Sequence, residues 1–169
     1  MATRTKGHGV SRTVPVGFGG RWFWAYDVSL AILLLEATLV HGELAPGQRP
    51  PRADAAVEDL RIQVRVGSNQ FFALDSEGWD TEQRDHVRSI VATAGRRLRG
   101  CGVVTAAEAA QRYLIDGEPY FLRGHEQIAG EVVADLAEAI ESLIQDQLPA
   151  VPSTDQHWFY GVAGGPRLR

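Results

Sequence analysis

Glu36 is the residue whose position most invites chemistry. It is a carboxylate set inside an apolar run, Val28 to Val40, that is otherwise broken only by Ser29 and Thr38. A carboxylate withdrawn from water binds its proton more tightly and can serve as a proton donor. His41 and Glu43 lie just beyond it and His157 lies far along the chain, so Glu36, His41 and His157 form the candidate acid–base set. Helical spacing argues the other way. Ser29 and Glu36 are two turns apart and share a face, which reads as the solvent-facing stripe of a mostly buried helix.

Two aromatic segments, Arg21 to Tyr26 and His157 to Tyr160, hold Trp22, Trp24, Tyr26, Trp158 and Tyr160. If both are strands and pair, these five side chains could wall a ligand pocket with polar tips. Trp22 and Trp24 would share one face and Phe23 would take the other. The plainer reading is that the aromatics fill the core between two terminal strands.

Other chemical signals fail on inspection. His125-Glu126 begins like a zinc-protease helix, but the position one turn later is Ala129 rather than histidine. His8, His41, His86, His125 and His157 are scattered without metal-ligand spacing, so neither a metal nor a cofactor is expected. Cys101, the single cysteine, follows Arg96, Arg97 and Arg99, which would favour a thiolate, yet no histidine neighbours it to act as base. The glycine clusters at 17–20 and 161–165 lack the lysine and hydroxyl residue of a phosphate loop.

Charge is more suggestive. From Gly124 to Gly165 there is no lysine or arginine, while Glu131, Asp135 and Glu138 recur at helical spacing and form an acidic ridge. The ridge is either a solvated helix face, a patch neutralised by arginines such as Arg61, Arg65, Arg88 or Arg96, or a docking face for a basic protein. The net charge of −4 argues against a dedicated nucleic-acid binder.

The elements that must position these residues follow from periodicity. Residues 1–20 read as a glycine-rich flexible arm, with a short strand at Thr13 to Phe18. Arg21 to Tyr26 reads as a strand, and Asp27 caps a helix that runs to His41 and stops at Gly42. Proline density makes Leu44 to Ala55 a loop. Leu60, Ile62, Val64 and Val66 alternate with polar residues and predict a strand, paired in a hairpin with Gln70 to Leu74.

Asp80 with Gln83, and Thr105 with Glu108, have capping-box spacing and predict helices, the second closed by Gly117. Glu118 to Leu122 reads as a short strand. A last helix is expected from His125 to Leu148, then a strand from His157 to Gly161, then a flexible tail at 162–169.

These elements predict an α+β fold, an antiparallel sheet with three to four helices packed on it, in a single domain over residues 21–161. A chain of 169 residues, 44% hydrophobic and 22% charged, suits one such core. The apolar run is too short to span a bilayer, and Met1 to Gly9 has no apolar stretch after Arg4 and Lys6, so neither membrane insertion nor export is expected and the cytoplasm is the expected location. All basic residues except Lys6 are arginine, a bias that GC-rich coding produces, so a high-GC bacterial origin is expected.

Two functions remain. One is a non-catalytic binding or accessory protein that engages a basic protein partner through Glu131, Asp135 and Glu138. Small acidic immunity proteins of bacterial toxin systems match it in size, charge and lack of local motif. The other is a small enzyme or ligand-binding protein with an aromatic-walled pocket and Glu/His proton handling. Docking requires the ridge to be free of internal arginine partners. A pocket requires a concavity where titratable groups converge.

Overall fold

A computed structural model of the chain describes residues 12–66, 72–74, 78–150 and 158–160. Strand β1 (Thr13–Phe18) turns at Gly19 and Gly20, both with positive φ, into β2 (Arg21–Tyr26), and the two pair antiparallel with Val16 opposite Phe23. The part of the 1–20 arm from Thr13 onward is thus an interior strand of the sheet, in which Phe72–Ala73 (β3), β1, β2 and Trp158–Phe159 (β8) lie side by side in that order. Residues 1–11 and the tail at 162–169 lie outside the described residues.

β2 runs without a loop into α1 (Asp27–Glu43), the central helix, which is buried on every side from Asp27 to Ala37. Asp27 is its first residue, and Tyr26 occupies the cap position. The Asp27 carboxylate still performs a capping role, since Oδ1 accepts from the N–H groups of Val28 at 2.9 Å and Arg12 at 3.0 Å. Its Oδ2 lies 3.1 Å from Arg123 Nη1. Gly42 falls inside the helix. The C-terminal carbonyls are satisfied by Arg49, which donates to Leu44 O and Gly42 O at 3.1 Å each.

A 3₁₀ turn at Pro46–Gln48 leads to α2 (Ala53–Val66), where a loop and then a strand were expected. Ala53, Ala56, Val57, Leu60 and Val64 are its buried stripe, at helical spacing. Ile62 and Val66, which completed the apparent alternation, are 39% and 53% exposed. An alternation of period two over seven residues was outweighed by a helical period over twelve. The strand β3 (Phe72–Ala73) therefore has no hairpin partner in α2 and pairs parallel with β1.

Helix α3 (Thr81–Cys101) opens as expected, with Asp80 Oδ1 accepting from the Gln83 N–H at 2.8 Å and Gln83 Oε1 accepting from the Asp80 N–H at 3.0 Å. β4 (Val103–Thr105) leads to α4 (Ala106–Arg112), opened by the Thr105–Glu108 box. It closes at Tyr113, well before Gly117. Asp116 and Gly117, both with positive φ, instead form the two-residue turn between β5 (Leu114–Ile115) and β6 (Glu118–Pro119).

The last helix begins later than expected. Residues Gln127–Ala129 form β7, paired antiparallel with β4, so His125 lies outside the helix and α5 runs from Gly130 to Ile144. β8 (Trp158–Phe159) completes the sheet against β2, and His157 lies outside the described residues.

The architecture is α+β in one compact domain. Among the described residues there are five α-helices, one more than the upper expectation, because α2 replaces a strand. Val14, Val16, Phe23 and Ala25 of the sheet share one core with α1, α3 and α5. Among the described residues no helix is long and apolar enough to cross a membrane.

Candidate functional site

The face of α1 that carries Glu36 meets the end of α3 and the end of α4. Glu36 is buried, 1% exposed, and Ser29 is buried as well, so the reading of a solvent-facing stripe is corrected. The reason is visible in its partners. Arg112, at the last turn of α4, donates from Nε to Glu36 Oε2 at 2.7 Å and from Nη2 to Oε1 at 2.6 Å. This two-point geometry is the strongest that a guanidinium and a carboxylate can form. The Tyr113 hydroxyl adds a third donor to Oε2 at 2.9 Å. Burial and the adjacent Glu36 charge push the Tyr113 phenol up, and the bond to Glu36 raises Arg112 further.

Arg97, about one turn from the end of α3, lies 3.7 Å from Glu36 Oε1. Its main partner is Glu43 at the end of α1, bound at 3.0 Å from Nη1 to Oε1 and 2.5 Å from Nη2 to Oε2. Hydrogen bonding to Glu43 raises Arg97, and the same bond lowers Glu43. Together the residues form a chain of charge, Arg112–Glu36–Arg97–Glu43.

A cavity of about 530 Å³ opens beside this chain. Glu36, Arg97, Arg112 and Tyr113 supply its polar wall, with Glu108 and Gln111 from α4. Leu98, Val103 and Val104 supply an apolar wall, and the exposed Cys101 lies at its margin. The volume is within the range of small-molecule sites. Glu108 is engaged locally, because its Oε2 accepts from both the N–H and the hydroxyl of Thr105 at 2.8 Å. Those bonds, the backbone one first, lower its pKa.

His41 belongs to a different cluster. Its Nδ1 is 2.9 Å from His86 Nε2 and its Nε2 is 2.7 Å from Asp54 Oδ1. The two imidazoles are buried between α1 and α3, whereas Asp54 on α2 faces solvent, also 3.5 Å from Arg49. Burial, then the His41 charge, lowers His86. The bond to His41 lowers Asp54. Among the described residues no group of three or more His, Cys, Asp or Glu side chains is arranged to hold a metal ion.

The structure thus separates the expected acid–base residues: Glu36 sits at the cavity, His41 in the histidine pair, and His157 outside the described residues. It also divides the expected aromatic wall. The two segments pair, with Trp24 opposite Phe159 and Ala25 opposite Trp158. Trp22 and Trp24 pack edge to face at 5.7 Å on one side of the sheet with Tyr26. Trp158 is buried on the other side, 5.2 Å from Phe23, with Tyr160 against its edge. Five aromatics on two faces cannot line one pocket.

The acidic ridge is engaged by residues of the same chain, in part at the surface. Arg99 donates to Glu131 at 2.9 Å and to Glu138 at 2.8 Å, and Asp135 accepts the Trp158 indole N–H at 2.6 Å. The bridging arginine lies outside the set expected from sequence. Arg97, Arg112 and Tyr113 were also missed as site residues. Arg97 falls in an unremarkable basic helix end, and Arg112 and Tyr113 are 76 and 77 positions from Glu36. Comparison with protein-family models, with curated proteins and with solved structures found no match to this chain.

Proposed function

We propose that the protein binds a small molecule in the cavity between α1, α3, β4 and α4, and that this binding is its function. One observation carries the reading. A fully buried carboxylate is held by two side chains at the polar wall of a cavity that also has an apolar wall and is large enough for a ligand. Removing charge from water is costly, and a fold carries that cost most readily where the charge organises recognition. The Glu36 oxygens are already filled by Arg112 and Tyr113, so the cluster is suited to orient a ligand rather than to turn over a substrate.

The alternative, docking of a basic protein on α5, loses its main support because Arg99 and Trp158 occupy the ridge acids. The arginine bias of the composition supports a high-GC bacterial source, and a cytoplasmic location accords with the single cysteine.

The test uses Cys101 as a reporter, since it is the one cysteine of the chain and borders the cavity. A metabolite-like fragment set is screened by thermal shift on the full chain, and hits are tested for protection of Cys101 from a small thiol reagent. Hits that protect Cys101, and that lose binding when Val103→Trp fills the cavity mouth, are the expected result. Hits that leave Cys101 reactivity unchanged and bind Val103→Trp equally well would defeat the reading.

A further inference from the structure

We propose that the ligand is a small monocarboxylate, and that it binds by taking the place of Glu43 on Arg97. The inference rests on the cavity being a binding site and adds the chemical class of its occupant. It begins with the unequal standing of the two carboxylates in the charge chain. Glu36 is buried and fixed by three hydrogen bonds. Glu43 is half exposed, does not line the cavity, and holds Arg97 from the solvent side. Glu43 is also the last residue of α1, where the partial negative charge of the helix end disfavours a carboxylate. Of the two, Glu43 is the one that can leave.

Charge then selects the replacement. With Glu43 withdrawn, the Arg97 fork has no two-point partner, because Glu36, 3.7 Å away, is already held by Arg112 and Tyr113. A single negative charge on the ligand replaces the one that Glu43 supplied. A second one would meet Glu108, which lines the same cavity, so a monoanion is favoured over a dianion.

Geometry selects the group. Arg97 already presents two parallel N–H donors to the planar carboxylate of Glu43, and such a fork suits another carboxylate. Arg112, which also lines the cavity, spends Nε and Nη2 on Glu36 and adds its positive charge to the same wall. Leu98, Val103 and Val104 then receive an apolar body attached to the acid.

The experiment titrates the full-length protein calorimetrically with hexanoate, with hexanamide as neutral counterpart and hexylamine as cation. The variants are Glu43→Gln, Arg97→Gln and Val103→Trp, each checked for native circular dichroism. Hexanoate is expected to bind, to bind Glu43→Gln about two- to fivefold tighter because a competing exposed pair is gone, and to bind Arg97→Gln about tenfold or more weaker. Hexanamide is expected to bind more weakly than hexanoate.

Equal hexanoate affinity in wild type and Glu43→Gln overturns the exchange. So does hexanamide binding as tightly as hexanoate, or no hexanoate binding to any variant. If hexanamide or hexylamine binds at least as tightly as hexanoate and Val103→Trp abolishes that binding, the carboxylate proposal fails while the cavity reading stands. If every binding probe ignores Val103→Trp, both fail.

Discussion

Replacing Gly130 by alanine should lower stability although it adds a good helix former at the start of α5. The backbone there passes against the last turns of α3, and an alanine Cβ would lie 1.9 Å from Leu98 O and 2.7 Å from Leu98 C. Ordinary contact begins at 3.4 Å, so the two helices would have to separate locally by roughly 1.5 Å, because backbone atoms cannot rotate aside. A gap of about 0.5–1 Å already forfeits a quarter to a half of each dispersion contact. The affected packing includes Ala94 and Leu98 of α3 with Val133, Ala134 and Ala137 of α5. The bond from the Gly130 N–H to Gly102 O, at 2.8 Å, would also be strained.

Overpacking costs about 1–3 kcal/mol, and a weakened hydrogen bond about 1 kcal/mol. The helix propensity of alanine returns at most about 1 kcal/mol. The expected net loss is about 1–3 kcal/mol, or roughly 2–12 °C in Tm for a domain of this size. Gly100→Ala is the matched control. It lies in α3 with nothing within 4 Å of a built Cβ, so it should stabilise by up to about 0.5–1 kcal/mol. Gly95→Ala, which would meet Ala137 Cβ at 2.6 Å, should fall between them. Thermal and urea unfolding of the three variants decides the matter. A Gly130→Ala protein as stable as wild type, or more so, would show that the α3–α5 packing is not as described.

Glu36→Ala should destabilise by about 2–4 kcal/mol, since it strands the Tyr113 hydroxyl and a partly buried Arg112, and Glu36→Gln should cost less; urea unfolding measures both. Stability should decline as pH falls below the ordinary histidine value of 6.5, because the lowered His86 is favoured neutral in the folded state and must take up a proton in a site facing His41, Asp54 and Arg49. The contribution is fully present above 6.5 and is lost on acidification, so Tm measured against pH should fall less steeply in His86→Gln; equal slopes would refute it. Arg99→Ala should cost less than about 1 kcal/mol because both of its ion pairs are solvent-exposed, and a thermal melt showing a much larger loss would contradict that assignment.

The sequence by itself determined the local, chain-neighbour features of this protein. Both capping boxes, the aromatic strand Arg21 to Tyr26 and the apolar central helix depend on residues within a few positions of one another, and each is where its signal placed it. Errors arose where a short window carried two periods. Leu60 to Val66 alternates like a strand, but the stripe Ala53 to Val64 buries more against α1 and α3 as a helix. Helical spacing likewise continued through Gln127 to Ala129, yet these residues pair with β4, a partner that no local pattern reveals.

Glu36 shows the limit most clearly. Its helix and its oddity were legible, but its burial depended on Arg112 and Tyr113, brought from another helix end by the tertiary fold. Arg99 likewise ties Glu131 and Glu138 of α5 to α3 through a solvent-exposed bridge that no local pattern reveals. Local hydrogen bonds and periodicity are encoded over a few residues. The pairing of buried charge, and the cavity beside it, are set by which helix ends meet in space, and only the folded chain decides that.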